Sequence, residues 1–235
     1  MKNNILCVIN GFYNHEHIAV FFDSIYRDYI DYVFLENYSK NSDLISDYFK
    51  DKRIIAHLRS EENITHGTVD YFLENYKGLI EEYEYLILTD ADLLVEDIDS
   101  YIDEAKSILD MEKVMVCGIS LCLDNLPLEH HPEAIDWIPE GVIYDEYILS
   151  STGTHMLLIK KENLNILFKL KNIIDSFFWV EVNEKGGLWV RTLKNKAKHL
   201  TWDYYYPGNE YYEYKKNNEW VQKIHSKKSK ITKLR

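Results

Sequence analysis

Short apolar runs alternate with helical segments over the first 90 residues, and this alternation constrains the fold more than any other feature. The runs are continuous, as is typical of strands buried on both faces, and they fall at 4–9, 32–35, 53–58 and 85–89. Apolar residues at helical spacing lie between them, with the longest helix predicted over 65–83. Strands joined in this order by helices predict an α/β fold with a mostly parallel, Rossmann-like central sheet flanked by helices.

Length and charge limit the classes of protein to which the chain can belong. Its 235 residues favour one domain, which we place at 1–220, followed by a basic tail at 221–235. The net charge of −12 argues against a nucleic-acid binder that relies on a broad basic face. The tail contains six Lys or Arg and no acid, which suggests weak contact with an anionic membrane surface. A solvated tail without a partner is the alternative.

The cysteines and the hydropathy pattern favour a cytoplasmic protein. Cys7, Cys117 and Cys122 all lie in apolar runs, so we expect buried free thiols in a reducing compartment. No apolar stretch reaches the roughly 18 residues of a membrane-spanning helix. The first apolar run is too short and too soon interrupted to be a signal peptide.

Two carboxylates follow the fourth predicted strand directly. The run YLILT leads into Asp90-Ala91-Asp92, so the two acids are separated by one small residue at a strand end. Adjacent carboxylates repel each other unless a cation lies between them. Hard oxygen ligands suit Mg²⁺ or Mn²⁺ better than Zn²⁺, and such an ion often completes its shell with substrate phosphates. We therefore predict that Asp90 and Asp92 bind a divalent metal, with a solvated acidic turn as the alternative.

Several segments around this motif resemble glycosyltransferases of the GT-A fold, of a bacterial or phage type. The D-x-D motif matches the one that holds the metal against the diphosphate of a nucleotide sugar in that family. The other matching segments, in chain order, are NILCVINGFYN, YVFLENYSKN, STGTHMLLIKK and WVRTLKNKAKHLTWDYYYPGNEYYEY. Only the D-x-D motif and the HLTWD segment are specific. The resemblance covers about residues 4–214.

The resemblance implies a third metal ligand and two donor contacts in the HLTWD segment. His199 would complete a site for Mn²⁺ or Mg²⁺ with the two aspartates, and imidazole suits Mn²⁺ beside carboxylates. Lys198 would contact a phosphate, and Trp202 would cover a sugar or nucleotide face.

The resemblance also places the nucleotide at the carboxyl ends of the early strands, where ligands bind in such sheets. The candidate residues at these strand ends, together with Asp90, are Asn10, Phe12, Tyr13, Glu36, Asn37, His66 and Gly67. For His66 and Gly67 an ordinary capped helix start is the alternative. Tyr13 would stack on the base, and either Glu36 or Asn37 would bind the base edge. His66 and Gly67 precede a helix whose N-terminus favours an anion.

The catalytic base is the least determined part of the site. An inverting transferase needs a carboxylate within reach of the acceptor hydroxyl, whereas a retaining enzyme needs a different arrangement. Glu181, among bulky apolar residues, and Asp175 are the two candidates that we select. The acidic pair that supplies the base in inverting members is not clearly recognisable in this sequence.

The pattern as a whole predicts a metal-dependent glycosyltransferase. It would move a sugar from a nucleoside diphosphate sugar, expected to be a UDP-sugar, to a hydroxyl of a glycan or another acceptor. A nucleotidyltransferase of similar fold is one alternative, although NGFYNHEH offers few of the phosphate-loop residues that such an enzyme needs. A non-catalytic module that binds nucleotide sugar or glycan is the other. We expect the Tyr-rich segment from Tyr204 onward to wrap the surface.

Overall fold

The computed structural model describes residues 3–13, 15–39, 41–50, 52–64, 67–151, 153, 155–169, 175–217 and 231–234. The described strands are β1 (Ile5–Tyr13), β2 (Ile30–Ser39), β3 (Ile54–Ser60), β4 (Tyr85–Asp90), β5 (Leu93–Val95), β6 (Val114–Leu121), β7 (Val142–Ile143), β8 (Tyr147–Leu149), β9 (Leu157–Lys160), β10 (Leu188–His199) and β11 (Ile231–Lys233). The described α-helices are α1 (His15–Ile25), α2 (Ser42–Tyr48), α3 (Gly67–Asn75), α4 (Lys77–Ile80), α5 (Ile98–Leu109), α6 (Asp175–Glu184) and α7 (Glu210–Asn217).

The first four strands form the parallel part of one central sheet. They lie in the order β3-β2-β1-β4, and each neighbouring pair is parallel. Helices α1 to α4 connect them, as the alternation in the sequence predicts. The carboxyl ends of these strands therefore lie along one edge, and residue 10 of β1 lies opposite residue 90 of β4.

The second half extends the same sheet with mixed strand directions. β9 is antiparallel to both β4 and β6, and β10 is parallel to β6. The order across the whole described sheet is β11-β3-β2-β1-β4-β9-β6-β10-β8-β7, with β5 paired to β10. Because β6 and β10 run in the same direction as β4, their carboxyl ends lie at the edge where β4 ends.

The core fills both faces of the sheet. Alternate residues of β1 point to opposite faces, so Ile5, Cys7 and Ile9 join one apolar cluster while Leu6 and Val8 join the other. Helices α1, α2, α5 and α7 contribute to the first cluster, and α3, α4 and α6 contribute to the second. This packing on both faces explains why the strands of the first half are continuous apolar runs.

One predicted helix is wrong in extent. The structure ends α3 at Asn75 and begins α4 at Lys77, instead of one helix over 65–83. Tyr76 between them has φ −120° and ψ 21°, outside the helical range, and Gly78 in the short α4 is a weak helix former. Apolar residues at helical spacing continue across the break, so the pattern alone does not reveal it.

Part of the basic tail belongs to the sheet. β11 lies within 221–235 and pairs antiparallel with β3, with Thr232 opposite Arg59. The tail residues Lys223, Lys227, Lys228 and Lys230 lie outside the described residues. Contact of this segment with a membrane surface stays a prediction. Within the described part of the chain, no helix combines the length and the apolar character needed to cross a bilayer.

Candidate functional site

Asp90 is held in place by hydrogen bonds from the neighbouring strand. Asn10 Nδ2 donates to Asp90 Oδ1 at 3.0 Å, and Asn10 Oδ1 accepts from Thr68 Oγ1 at 3.1 Å. The Asn10 carbonyl also accepts from the Ala91 amide at 3.0 Å. Because α3 begins at Gly67, these bonds join the end of β1, the end of β4 and the first turn of α3. Asn10 and Gly67 therefore lie at the strand edge where the sequence predicts them.

The pairing of β10 with β5 brings His199 to the aspartates. His199 lies opposite Leu93 in this antiparallel pair, and the Leu200 amide donates to the Asp92 carbonyl at 2.7 Å. As a result His199 Nε2 is 3.5 Å from Asp92 Oδ2. Residues more than 100 positions apart in the chain thus meet where β4 ends, which the spacing of the residues does not reveal.

The His199 imidazole is fixed on two sides. Its Nδ1 lies 3.1 Å from Thr201 Oγ1, and its ring is stacked on Trp202 with centroids 4.6 Å apart and 2° between the planes. Burial lowers the pKa of His199 well below its ordinary value, which favours the neutral imidazole that binds metals. Trp202 is 6% exposed, so the prediction that it covers a sugar or nucleotide face is corrected: its ring supports His199 from the interior.

The chemistry of these side chains fits a divalent metal. Asp92 Oδ1 is buried and has no hydrogen-bond partner, and burial together with the nearby Asp90 raises the pKa of Asp92. A cation between the carboxylates would give the buried Asp92 Oδ1 a partner and would offset the repulsion between Asp90 and Asp92. Two carboxylates and an imidazole suit Mn²⁺. The fit concerns the chemical type of the ligands, because the described residues contain no three His, Cys, Asp or Glu side chains that are already arranged as a metal site.

Lys215 on α7 is a cationic neighbour of the aspartates that the sequence analysis missed. Its Nζ donates to the Tyr205 hydroxyl at 2.7 Å and lies 4.8 Å from the ring centroid of Tyr211. Burial lowers the pKa of Lys215 to about 8, and attraction to Asp92 and Asp90 opposes that shift. The sequence of the Tyr-rich segment gives no signal for this contact. The segment is expected to wrap the surface, and its part Glu210–Asn217 forms α7.

Two histidines were also missed. His155 lies against His199, with ring centroids 5.2 Å apart and 80° between planes. His17 on α1 contacts Tyr204 at 4.7 Å between centroids, and its Nε2 is buried without a hydrogen-bond partner. Burial lowers the pKa of His17, while Asp92 acts in the opposite direction. His155 lies in the segment STGTHMLLIKK, whose resemblance to the family is the one signal that pointed toward this region.

The other predicted phosphate contacts are less directly supported. Lys198 Nζ forms an ion pair with Asp203 Oδ2 at 2.7 Å, and both side chains are partly exposed. Lys198 would have to leave Asp203, or share it, in order to contact a phosphate. His66 lies outside the described residues.

At the end of β1, Phe12 contacts an aromatic ring from α7. The ring centroids of Phe12 and Tyr214 are 5.9 Å apart, and Tyr214 lies almost parallel to Tyr38 at 6.1 Å and 8°. Tyr38 has a φ of 62°, a strained conformation for a residue other than glycine. The side chain of Tyr13 lies outside the described part of the structure, so its predicted stacking on a base stays a prediction.

Glu36 and Asn37 are engaged in the interior, which corrects their predicted role. Glu36 is 0% exposed, and its Oε2 lies 2.8 Å from both His57 Nε2 and Arg59 Nε. Asn37 is 2% exposed, and its Oδ1 accepts from the Ile64 amide at 2.8 Å. Both side chains hold the ends of β2 and β3 and the following loop together. Neither presents a free polar edge to a base.

The two candidate bases lie on α6. Phe178 and Val182 of this helix are buried in the second core cluster, and Glu181 beside them is half-buried. The chain passes from α6 to Leu188 at the start of β10, so the C-terminal end of α6 faces the sheet edge away from Asp90. Glu181 is near that end. The helix begins at Asp175, whose side chain lies outside the described part of the structure.

No family model matches the sequence. The chain is 30% identical over 199 residues to uncharacterized protein L142 of Acanthamoeba polyphaga mimivirus, a match that covers 77% of this chain and 40% of that protein. It is 33% identical over 209 residues to uncharacterized protein L138 of the same virus, covering 82% of this chain and 24% of that protein. The chain thus spans less than half the length of these relatives.

Two solved glycosyltransferase structures resemble the fold. Mannosyltransferase PcManGT from Pyrobaculum calidifontis, in complex with GDP-Man and Mn²⁺, matches with a TM-score of 0.56 and 13% identity over 91% of this chain and 60% of that one. GalNAc-T7 with UDP, GalNAc and Mn²⁺ matches with a TM-score of 0.50 and 12% identity over 84% of this chain and 44% of that one. At these identities the likeness concerns the fold. The chain has the α/β architecture of GT-A glycosyltransferases, with a large central sheet flanked by helices.

Proposed function

We propose that this protein is a metal-dependent glycosyltransferase. It would transfer a sugar from a nucleoside diphosphate sugar to a hydroxyl of an acceptor. The observation that carries the proposal is the meeting of His199 with Asp92, at 3.5 Å, beside Asp90 at the end of β4. The fold supports the same reading, because two glycosyltransferases of similar architecture were solved with Mn²⁺ and with GDP-Man or UDP.

Asp90, Asp92 and His199 would hold Mn²⁺ or Mg²⁺. When bound, the ion would act as a Lewis acid that neutralises charge on the departing diphosphate. The unpartnered Asp92 Oδ1 and the neutral His199 imidazole support this assignment.

The other residues of the site position these ligands and neutralise their charge. Asn10 orients Asp90 through one hydrogen bond and is itself oriented by Thr68. Trp202 holds the plane of the His199 ring. Lys215 adds a positive charge close to the aspartates, where a diphosphate would also lie.

The donor is expected to be a UDP-sugar, as the sequence resemblance implies, with a GDP-sugar as the second choice. Phe12, at the end of β1, would contact the nucleotide. Tyr13 and His66 remain proposed donor contacts, and Lys198 would contact a phosphate after release from Asp203. We favour Asp175 over Glu181 as the base. Glu181 is near the C-terminal end of α6, which faces the sheet edge away from Asp90, whereas Asp175 is at the other end of this helix.

Two other functions compete with this proposal. A nucleotidyltransferase would share the sheet and the metal carboxylates, and would release pyrophosphate from a nucleoside triphosphate. A binding module would hold nucleotide sugar or glycan without turnover. The experiment below distinguishes the transferase from each of them.

The test is a donor screen. The purified protein is incubated with UDP-sugars, GDP-sugars and nucleoside triphosphates, each with Mn²⁺ and with EDTA, and free nucleotide and pyrophosphate are measured. We expect Mn²⁺-dependent release of UDP from one UDP-sugar, abolished in Asp92→Asn and retained in Asp110→Asn. Asp110, at the end of α5, pairs with Lys160 and is a matched control outside the site. Release of pyrophosphate alone, or no release of any product, would contradict the proposal.

A further inference from the structure

Aromatic side chains form an exposed surface beside the candidate site. We call the group of Trp137, Tyr206, His130 and His131 the aromatic platform. Trp137 is 38% exposed and Tyr206 is 42% exposed, so both rings are accessible to a ligand from solvent. His130 contacts Tyr206 at 6.2 Å between ring centroids, and His131 contacts Trp137 at 5.8 Å.

Two ring contacts, one tilted and one stacked, join the platform to the candidate site. Trp137 contacts Trp202 at 6.4 Å between centroids, and Trp202 is stacked on His199 at 4.6 Å. The Trp137 ring therefore lies within about 11 Å of the His199 ring. A short oligosaccharide that lies on Trp137 can extend to the predicted metal site.

The charge around the platform limits which ligands it can bind. Residues 123–147, which include three of its four members, contain seven acidic residues and no Lys or Arg. Lys216 is a nearby cation, since its Nζ lies 5.9 Å from the ring centroid of Tyr212, which contacts His131. The seven acids outnumber it and disfavour the binding of phosphates, uronic acids, nucleic acids and anionic lipids. Exposed aromatic rings bind apolar faces, which sugar rings present through their C–H groups, and they also attract ammonium groups.

We propose that the aromatic platform binds the acceptor of the reaction, and that this acceptor is a neutral or amine-bearing saccharide. The assignment of this saccharide as the acceptor rests on the proposed function. The binding of saccharide by itself does not depend on catalysis. The sugar would lie on Trp137 and Tyr206, with its reacting hydroxyl directed toward the end of β4.

Binding is tested with saccharides alone, without donor or metal. Calorimetric titrations use trisaccharides of glucose, mannose, galactose, N-acetylglucosamine, glucosamine and galacturonic acid, up to about 10 mM, a range that detects weak binding. We expect binding of at least one neutral or amine-bearing trisaccharide, and at least about tenfold weaker binding of the galacturonate. Trp137→Ala is expected to weaken binding by about tenfold or more, and Tyr206→Ala should also weaken it.

Three controls keep the outcomes distinct. Tyr71→Ala removes a similarly exposed ring, 36% exposed on α3, and should bind saccharide as the wild type does. Trp137→Phe should retain part of the affinity, and circular dichroism verifies that each variant is folded. Asp92→Asn should bind saccharide normally while it loses donor turnover.

The outcomes separate this inference from the proposed function. Saccharide binding that depends on Trp137 without any donor turnover would support the platform and contradict the transferase. Donor turnover without binding of any neutral or amine-bearing saccharide would overturn the platform. Equal binding of galacturonate, equal binding by Trp137→Ala, or transfer only to a hydroxyl-bearing peptide would also overturn it.

Discussion

Trp202 lies flat against His199, with ring centroids 4.6 Å apart and 2° between the ring planes. Thr201 holds the imidazole from its Nδ1 side, which leaves Nε2 directed at Asp92. The HLTWD segment thus supplies both a candidate metal ligand and the side chains that orient it. This relationship gives Trp202 a positioning role.

Removal of this stacking is expected to weaken metal-dependent nucleotide binding. Trp202→Ala should lower the affinity for Mn²⁺ with nucleotide by about tenfold, and should reduce the free energy of unfolding by about 3–5 kcal/mol because a buried indole is lost. Trp202→Phe should keep most of the affinity, since a ring remains against His199. Calorimetry and denaturant unfolding measure the two effects. Wild-type affinity in a folded Trp202→Ala protein would show that the stack has no positioning role.

The bond from Asn10 to Asp90 gives a second prediction. Asn10→Ala leaves Asp90 and Thr68 without this partner, which should cost about 1–3 kcal/mol of stability and weaken metal-dependent nucleotide binding. Asn3→Ala is a matched control, because Asn3 Nδ2 donates to Asp31 Oδ1 at 3.0 Å at the opposite edge of the sheet. Asn3→Ala should leave nucleotide binding unchanged. Equal effects of the two variants on binding would contradict a local role for Asn10.

Several boundaries and one complete helix follow from the sequence. Apolar spacing predicts a helix over 98–109, and the structure has α5 at Ile98–Leu109. Its N-cap Asp97 accepts from the Ser100 amide at 3.0 Å, so the local signal and the packing agree. β1 extends through Tyr13, beyond the apolar run at 4–9, because it pairs with β2 as far as Ser39. Pairing between strands is not visible in one segment alone.

The residue pattern alone indicates the site only where its residues are close in sequence, and the family resemblance adds the distant His199. Asp90 and Asp92 follow from the strand they terminate, whereas Lys215, His17 and His155 reach them through tertiary packing. The exposed polar roles predicted for Glu36 and Asn37 failed for a related reason. Both residues follow a buried strand, but the next strand and loop cover them. Their burial depends on segments that follow them by 20 residues or more.

The contacts of Glu36 with His57 and Arg59 make the free energy of unfolding depend on pH. Burial raises the pKa of Glu36, but hydrogen bonds from His57 and Arg59 outweigh it and hold the pKa below its ordinary value of 4.5. A lowered carboxyl pKa means that stability is present above pH 4.5 and is lost as the pH falls through the folded-state pKa.

Glu36→Gln should therefore unfold more easily at neutral pH, by about 3 kcal/mol, and its stability should fall less steeply in acid. Denaturant titrations from neutral pH into the acid range measure this. Glu84→Gln, an exposed carboxylate bonded to Asn4, is the control and should change stability by about 0.5 kcal/mol or less. Parallel pH profiles of wild type and Glu36→Gln would contradict the assignment.

Lys215 competes electrostatically with a metal for the aspartates. Lys215→Met removes a positive charge near Asp90 and Asp92, so the affinity for Mn²⁺ without nucleotide should rise by about threefold to tenfold. Lys216→Met, which alters the next and exposed lysine of α7, should have little effect. Mn²⁺ binding is measured by the decrease in the electron paramagnetic resonance signal of free Mn²⁺. Weaker Mn²⁺ binding in Lys215→Met would contradict this account of the charges.

The most direct test of the central claim is calorimetric titration of UDP and GDP in the presence of Mn²⁺ and in the presence of EDTA. Wild-type protein is compared with Asp92→Asn and with the Asp110→Asn control. The account predicts that one nucleotide binds only with Mn²⁺, that Asp92→Asn loses this binding, and that Asp110→Asn retains it. Absence of nucleotide binding under every condition, or binding that Asp92→Asn and EDTA leave unchanged, would contradict it.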